Sequence, residues 1–146
     1  MANPYLLAGA ASSAVAALLH LGCIYFGPSW YRFFGAGERI VQLSAAGSAT
    51  PTLFALAIAG VLTLWSLYAL SGAGTIPRLP LIRTGLSVIA GIYLLRGIAG
   101  FVLAAVAPGE RSVAFWSWSS LICLGIGALY LVGTRQAWSQ LSRGAV

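Results

Sequence analysis

The sequence predicts an all-α integral membrane protein: a bundle of four transmembrane helices with a long aromatic first loop that holds a short interfacial helix. Three observations lead there. Of the 146 residues, 60% are hydrophobic and 7% charged, whereas a soluble domain carries about 25% charged residues. So few charges cannot cover a water-facing surface of this size, so the solvent that fits is lipid. Second, the apolar residues gather into four runs of spanning length. Third, these runs lack the alternating pattern of a β-barrel, and in lipid the backbone must then satisfy itself as helix. The length fits a single membrane domain over residues 1–146.

The runs extend from Tyr5 to Phe26, Pro51 to Ser71, Thr84 to Ala107 and Val113 to Gly133. Each has roughly 20 residues or more, enough to cross a hydrocarbon slab of about 30 Å. Residues Met1 to Leu7 carry no basic side chain, and the first run exceeds a signal-peptide core in length, so it is expected to remain a span. Thr50-Pro51 reads as a helix N-cap followed by proline in the first turn. Ser71-Gly72-Ala73-Gly74, followed by Pro77 and Pro80, ends the second span, and Pro108-Gly109-Glu110-Arg111 makes a tight turn before the fourth. Connections this short predict that the second, third and fourth spans are antiparallel neighbours.

The first connection, residues 27–50, is long and rich in aromatic side chains: Trp30, Tyr31, Phe33 and Phe34 lie close together. Such rings favour the headgroup zone. Ile40, Val41 and Leu43 fall at helical spacing opposite Glu38, Arg39 and Gln42, which predicts a short amphipathic helix lying on the bilayer surface or folded over the bundle mouth, hinged at Gly35 and Gly37.

All eight basic residues are arginine, and Glu38 and Glu110 are the two acids, giving a net charge of +6. The arginines sit at the edges of apolar runs rather than in a stripe, which argues against nucleic acid and for phosphate headgroups. One side of the bundle would hold Arg78, Arg83, Arg135 and Arg143, and the other Arg32, Arg39 and Arg111. The positive-inside rule therefore places both termini in the cytoplasm. Cys23 and Cys123 are far apart in sequence and at different expected depths, so they read as small apolar side chains rather than a disulfide. With one histidine and two cysteines, neither a metal site nor a bis-histidine haem is expected, and no cofactor is implied.

Arg96 interrupts this pattern. It lies about twelve residues, or about 18 Å, into the third span, where an arginine costs at least about 2.5–3.5 kcal/mol. A carboxylate, backbone carbonyls, water or a bound anion must compensate it. Within the chain the candidates are Glu38, if the first loop folds inward, and Glu110. His20 in the first span falls within one or two helical turns of Arg96 in depth. The expected ligand-binding set is Arg96, His20 and Glu38, with Trp30 and Tyr31 from the loop and Tyr93 one turn before the arginine. The expected ligand is a small anionic molecule or a lipid headgroup. Small residues recur along the spans (Gly9, Ser13, Ala16 and Ala17; Gly91, Gly97 and Gly100; Ser117, Ser120, Gly125 and Gly127). They suit close helix packing, or else a homo-oligomer or docking onto another membrane protein as an accessory subunit. Ser120, Cys123, Gly127 and Tyr130 predict one inward stripe, and Trp116, Trp118 and Trp138 predict interface anchors. No nucleophile–base pair, metal cluster or phosphate loop is present to suggest an enzyme.

The segments Trp30-Tyr31-Arg32-Phe33-Phe34-Gly35-Ala36-Gly37-Glu38, Leu64-Trp65-Ser66-Leu67-Tyr68-Ala69-Leu70-Ser71-Gly72-Ala73-Gly74 and Tyr93-Leu94-Leu95-Arg96-Gly97 resemble a group of small bacterial four-span inner-membrane proteins. That resemblance covers about the first two-thirds of the chain. It implies an inner-membrane location and brings no activity with it. The run Glu38-Arg39-Ile40-Val41-Gln42, followed by Pro51, is similar to the first connection of the four-span membrane-associated eicosanoid and glutathione metabolism proteins. That similarity implies a membrane enzyme. The family's asparagine and second glutamate are missing here, where Ala46, Gly47 and Ala49 stand, and its basic loop is thin.

Overall fold

The computed structural model describes residues 1–109 and 111–143. It contains six helices among the described residues: α1 (Pro4–Phe26), α2 (Pro28–Phe33), α3 (Glu38–Ala45), α4 (Thr50–Ala73), α5 (Ile82–Val106) and α6 (Val113–Ser142). Four of them, α1, α4, α5 and α6, are long and apolar enough to cross a membrane. Their outer faces carry large exposed apolar side chains such as Leu18, Leu53, Val88, Leu95 and Ile122, as a lipid-facing surface requires. One end of the bundle holds the α4–α5 connection and the end of α6. The opposite end holds α2, α3 and the α5–α6 turn.

Three boundaries differ from expectation. The first loop holds two short helices, because Pro28 starts a helical turn of its own at N1. Gly35 and Gly37 separate them with φ of 72° and 91°, so the hinge lies where the sequence places it. Thr50 is already helical, with Ala49 in the cap position and no side-chain cap. The Ser48 hydroxyl accepts from the Thr50 amide (3.3 Å), taking the role assigned to Thr50. The largest difference is α6, which continues nine residues beyond Gly133 to Ser142. The polar residues Arg135, Gln136, Ser139 and Gln140 end the hydropathic run without ending the helix. Ala137 and Leu141 keep one stripe buried and carry it on.

The four long helices pack as two pairs, α1 along α4 and α5 along α6, and α4 touches α5 only sparsely. The neighbours predicted from the short connections are therefore close for α5 and α6 and only slight for α4 and α5. Pro77 and Pro80 lengthen the α4–α5 connection, and the small face of α1 takes α4 instead. Gly97 lets α5 close on α6: a Cβ there would meet the Leu124 side chain at 2.5 Å and the Ser120 carbonyl oxygen at 3.0 Å.

The two pairs meet on a polar node. Ser13 of α1 bonds the hydroxyls of Tyr93 (2.9 Å) and Tyr130 (2.8 Å), and Tyr130 donates to the Trp65 carbonyl (3.0 Å). A hydroxyl has one proton, so the chain runs in one direction: Tyr93 to Ser13, Ser13 to Tyr130, Tyr130 to the carbonyl. Ser13 and Tyr130 are fully buried, and each of the four spanning helices contributes one member. Nearer the N-terminus, Asn3 caps α1 through Leu6 N (3.1 Å) and donates to Gln136 (3.2 Å) in the extension of α6.

Candidate functional site

Arg96 lies two residues past the centre of α5, about 3 Å toward the α2–α3 end. Its side chain runs further that way, along its own helix. A Cβ at Gly100, one turn on, would stand 2.8 Å from Arg96 Nη1, so this glycine leaves the space the guanidinium uses. The guanidinium donates to the Ser119 hydroxyl (3.5 Å) and faces the Trp116 ring at 5.3 Å. Trp116 is held in place by its own bond to the Pro108 carbonyl (2.9 Å). These partners are neutral. Among the described residues no carboxylate stands within ion-pair distance of Arg96. Close by, the buried Ser120 hydroxyl has no hydrogen-bond partner.

The same arginine lines a cavity of about 520 Å³ between the two helix pairs. Ile58, Val61, Ile92 and Ile122 give it apolar walls that open sideways toward lipid, and His20 and Tyr93 join Arg96 there. His20 Nδ1 is 2.7 Å from the Ala16 carbonyl. A carbonyl only accepts, so Nδ1 donates in this bond. Tyr93 turns its ring to the groove and its hydroxyl to Ser13. Three of the six expected residues thus share one groove. Trp65 and Cys123 line it as well. Cys123 was legible in the inward stripe of α6, whereas nothing in the local sequence marks Trp65.

The other three lie nearer the α2–α3 end of the bundle. Glu38 lines a polar pocket of about 250 Å³ at the bundle mouth, with Arg32 and Arg111, and pairs with Arg32 (3.3 Å). Arg111 donates to the Gly35 carbonyl, which ties the hinge to the start of α6. Trp30 stacks on Phe26 at 4.3 Å between ring centroids and stays outside both cavities. Glu38 therefore belongs to the first-loop pocket and Trp30 to the aromatic rim, because the hinge lays α3 across the mouth instead of dipping it into the bundle. Glu110, the other acid considered for Arg96, falls outside the described residues.

Tyr31 takes a middle position. It lines a chamber of about 220 Å³ roofed by α2 and α3, with Cys23, Ala36, Ile40 and Ala55. Burial pushes its phenol up from the ordinary tyrosine range. His20, Ala16 and Ile58 line this chamber and the Arg96 groove alike, so His20 stands at the junction of the two.

Cys23 and Cys123 are free thiols. Most small residues on α1, α5 and α6 are used inside the bundle: Gly9 against Tyr130, Gly97 against Leu124 and Gly127 against Leu94. Of the three tryptophans read as interface anchors, Trp118 is exposed and Trp138 lies under the Arg83 guanidinium at 3.7 Å, whereas Trp116 is buried and bonded to the Pro108 carbonyl. No protein-family model matches the chain, and neither a curated protein nor a solved structure shows significant similarity to it.

Proposed function

We propose that this four-span protein binds an anionic amphiphile drawn from the bilayer, with the acidic group on Arg96 and the chain in the groove between the helix pairs. One observation carries the reading: Arg96 lines an apolar groove open to lipid while its protein partners are a hydroxyl and a ring. A guanidinium does not shed its proton, and its planar fork suits a carboxylate or phosphate held by two hydrogen bonds. An acidic ligand offsets the cost of about 2.5–3.5 kcal/mol that an arginine incurs at this depth. The walls of Ile58, Val61 and Ile122 receive the chain, which passes His20 into the chamber under α2 and α3.

In this reading the protein sits in a bacterial inner membrane with both termini in the cytoplasm, so that Arg78, Arg83, Arg135 and Arg143 face the cytoplasmic leaflet. Binding, rather than catalysis, is the activity proposed. The groove holds no general base positioned against a nucleophile among the described residues.

The test compares oleate with oleyl alcohol, which has the same chain without the charge, by thermal unfolding of the purified full chain in mild detergent. Oleate is expected to raise the melting temperature and the alcohol to leave it unchanged. Arg96→Gln is expected to weaken oleate binding by at least about tenfold, the loss of one charged hydrogen-bonding partner. Arg96→Lys is expected to recover only part of it. Equal effects of acid and alcohol would refute the site, and full recovery with lysine would refute the two-bond geometry.

A further inference from the structure

We propose a second lipid site, independent of Arg96, on the α5–α6 pair at the end that carries the α4–α5 connection. It takes the phosphate of an anionic phospholipid, with one acyl chain running inward along the two helices.

The site is a cavity of about 510 Å³ lined by Ser87, Gly91 and Leu94 of α5 and by Thr134, Arg135 and Trp138 of α6. Its polar and apolar parts are segregated by depth. Arg135, Thr134 and Ser87 lie toward the helix ends, and Gly91, Leu94 and Leu131 lie deeper. That order matches a phospholipid standing in its leaflet, with the headgroup at the ends and the chain toward the middle.

Two buried polar atoms are left without hydrogen-bond partners at the headgroup end, the Thr134 hydroxyl and Arg83 Nε. Thr134 is 3% exposed, so water does not readily serve it. An orphaned buried polar group costs about 1–3 kcal/mol, and a phosphate has oxygens enough for both. The Arg83 guanidinium carbon stands 3.7 Å from the centre of the Trp138 ring, and Trp138 lines the cavity. Arg135 makes no ion pair among the described residues.

The counter-charge does not come from nearby side chains. Among the described residues the one acid is Glu38, in the α1–α4 connection at the opposite end. Two arginines, an orphaned hydroxyl and an indole at headgroup depth therefore face the bilayer's own phosphates. A net negative headgroup such as phosphatidylglycerol is favoured over a zwitterionic one, whose own cation repels the arginines and competes with them for the phosphate.

Gly91 supplies a clean probe of the apolar arm. A Cβ there meets nothing within 4 Å, so Gly91→Leu fills the cavity without disturbing the bundle, and it raises helix propensity. The experiment is native mass spectrometry of the full chain in mild detergent, titrated with phosphatidylglycerol or with phosphatidylcholine of the same chains. The expected result is retention of phosphatidylglycerol about tenfold above phosphatidylcholine. Arg135→Gln should reduce the preference roughly tenfold, Gly91→Leu should reduce retention of both lipids, and millimolar inorganic phosphate should displace neither. The titration is repeated in an Arg96→Gln background, which removes the groove's own share of anionic lipid, so failure of the groove and failure of this site are separable. Equal retention of the two lipids by the Arg96→Gln chain would overturn the proposal. So would phosphatidylglycerol retention unaltered by both Arg135→Gln and Gly91→Leu, or its full displacement by free phosphate. A circular-dichroism melt of each variant keeps loss of the site distinct from loss of the fold.

Discussion

Gly97→Leu is expected to destabilise the bundle by about 3 kcal/mol, while Gly91→Leu on the same helix leaves it unchanged or slightly firmer. Both variants gain helix propensity of roughly 1 kcal/mol over glycine, so this effect cancels in the comparison. They differ in what a side chain meets. At Gly97 even the first added carbon lies 2.5 Å from Leu124 Cγ and 3.0 Å from the Ser120 carbonyl oxygen. Leu124 can rotate, but the carbonyl belongs to the backbone of α6, so α6 itself must retreat. Overpacking of a close interface costs about 1–3 kcal/mol, occasionally more. In a membrane no hydrophobic gain from water compensates, because lipid solvates the separated helices as well as each solvates the other. Unfolding in mixed micelles with rising sodium dodecyl sulfate, followed by tryptophan fluorescence, reads the difference directly. Equal midpoints for the two variants would mean that α5 and α6 are not held at the spacing described.

That pair of glycines shows what the sequence makes legible and what it leaves out. The four long apolar helices follow from hydropathy, because lipid imposes length and helicity on any apolar run. Gly91 and Gly97 look alike in sequence, both small residues on one helix. Which of them faces a neighbour depends on the rotation of α5 about its axis, and a helix apolar all round does not encode that rotation in its pattern. The pairing of α1 with α4 was hidden for the same reason. Short connections constrain neighbours, but the extent of contact is decided by matching surfaces.

The candidate site divides along similar lines. Arg96, His20 and Tyr93 were found together because depth along a helix can be counted at 1.5 Å per residue, and groups at one depth in a narrow bundle have few places to go. Glu38, Trp30 and Tyr31 lie in the first loop, where backbone turns at Gly35 and Gly37 set the direction, and residue counting gives no depth. The ending of α6 was missed because the hydropathic signal fades at Arg135 while the helix continues on a buried stripe. The phospholipid site proposed above is built from that missed extension.

The Ser13–Tyr93–Tyr130 node accounts for the second large effect. Tyr130→Ala is expected to cost about 3–5 kcal/mol, the range for deleting a large buried side chain, and Tyr130→Phe only about 0.6–1.7 kcal/mol, the worth of a membrane-buried hydrogen bond. The ring does most of the joining. Fully buried, it lies against Gly9 of α1, where a Cβ would stand 3.0 Å from Cε2, and its centroid is 5.6 Å from that of Tyr93 on α5. Phenylalanine keeps all of that. It removes the proton given to the Trp65 carbonyl and the acceptor used by Ser13, yet Ser13 retains Tyr93, so no hydroxyl is stranded. Ser13→Ala takes away the shared partner of both tyrosines and leaves the Tyr93 hydroxyl without its bond. It should therefore cost more than Tyr130→Phe despite deleting the same single oxygen. The same micellar unfolding experiment orders the three variants as Tyr130→Ala, then Ser13→Ala, then Tyr130→Phe, from most to least destabilised. A Tyr130→Phe variant as unstable as Tyr130→Ala would mean that the hydrogen-bond chain, and not the packed ring, holds the two helix pairs together.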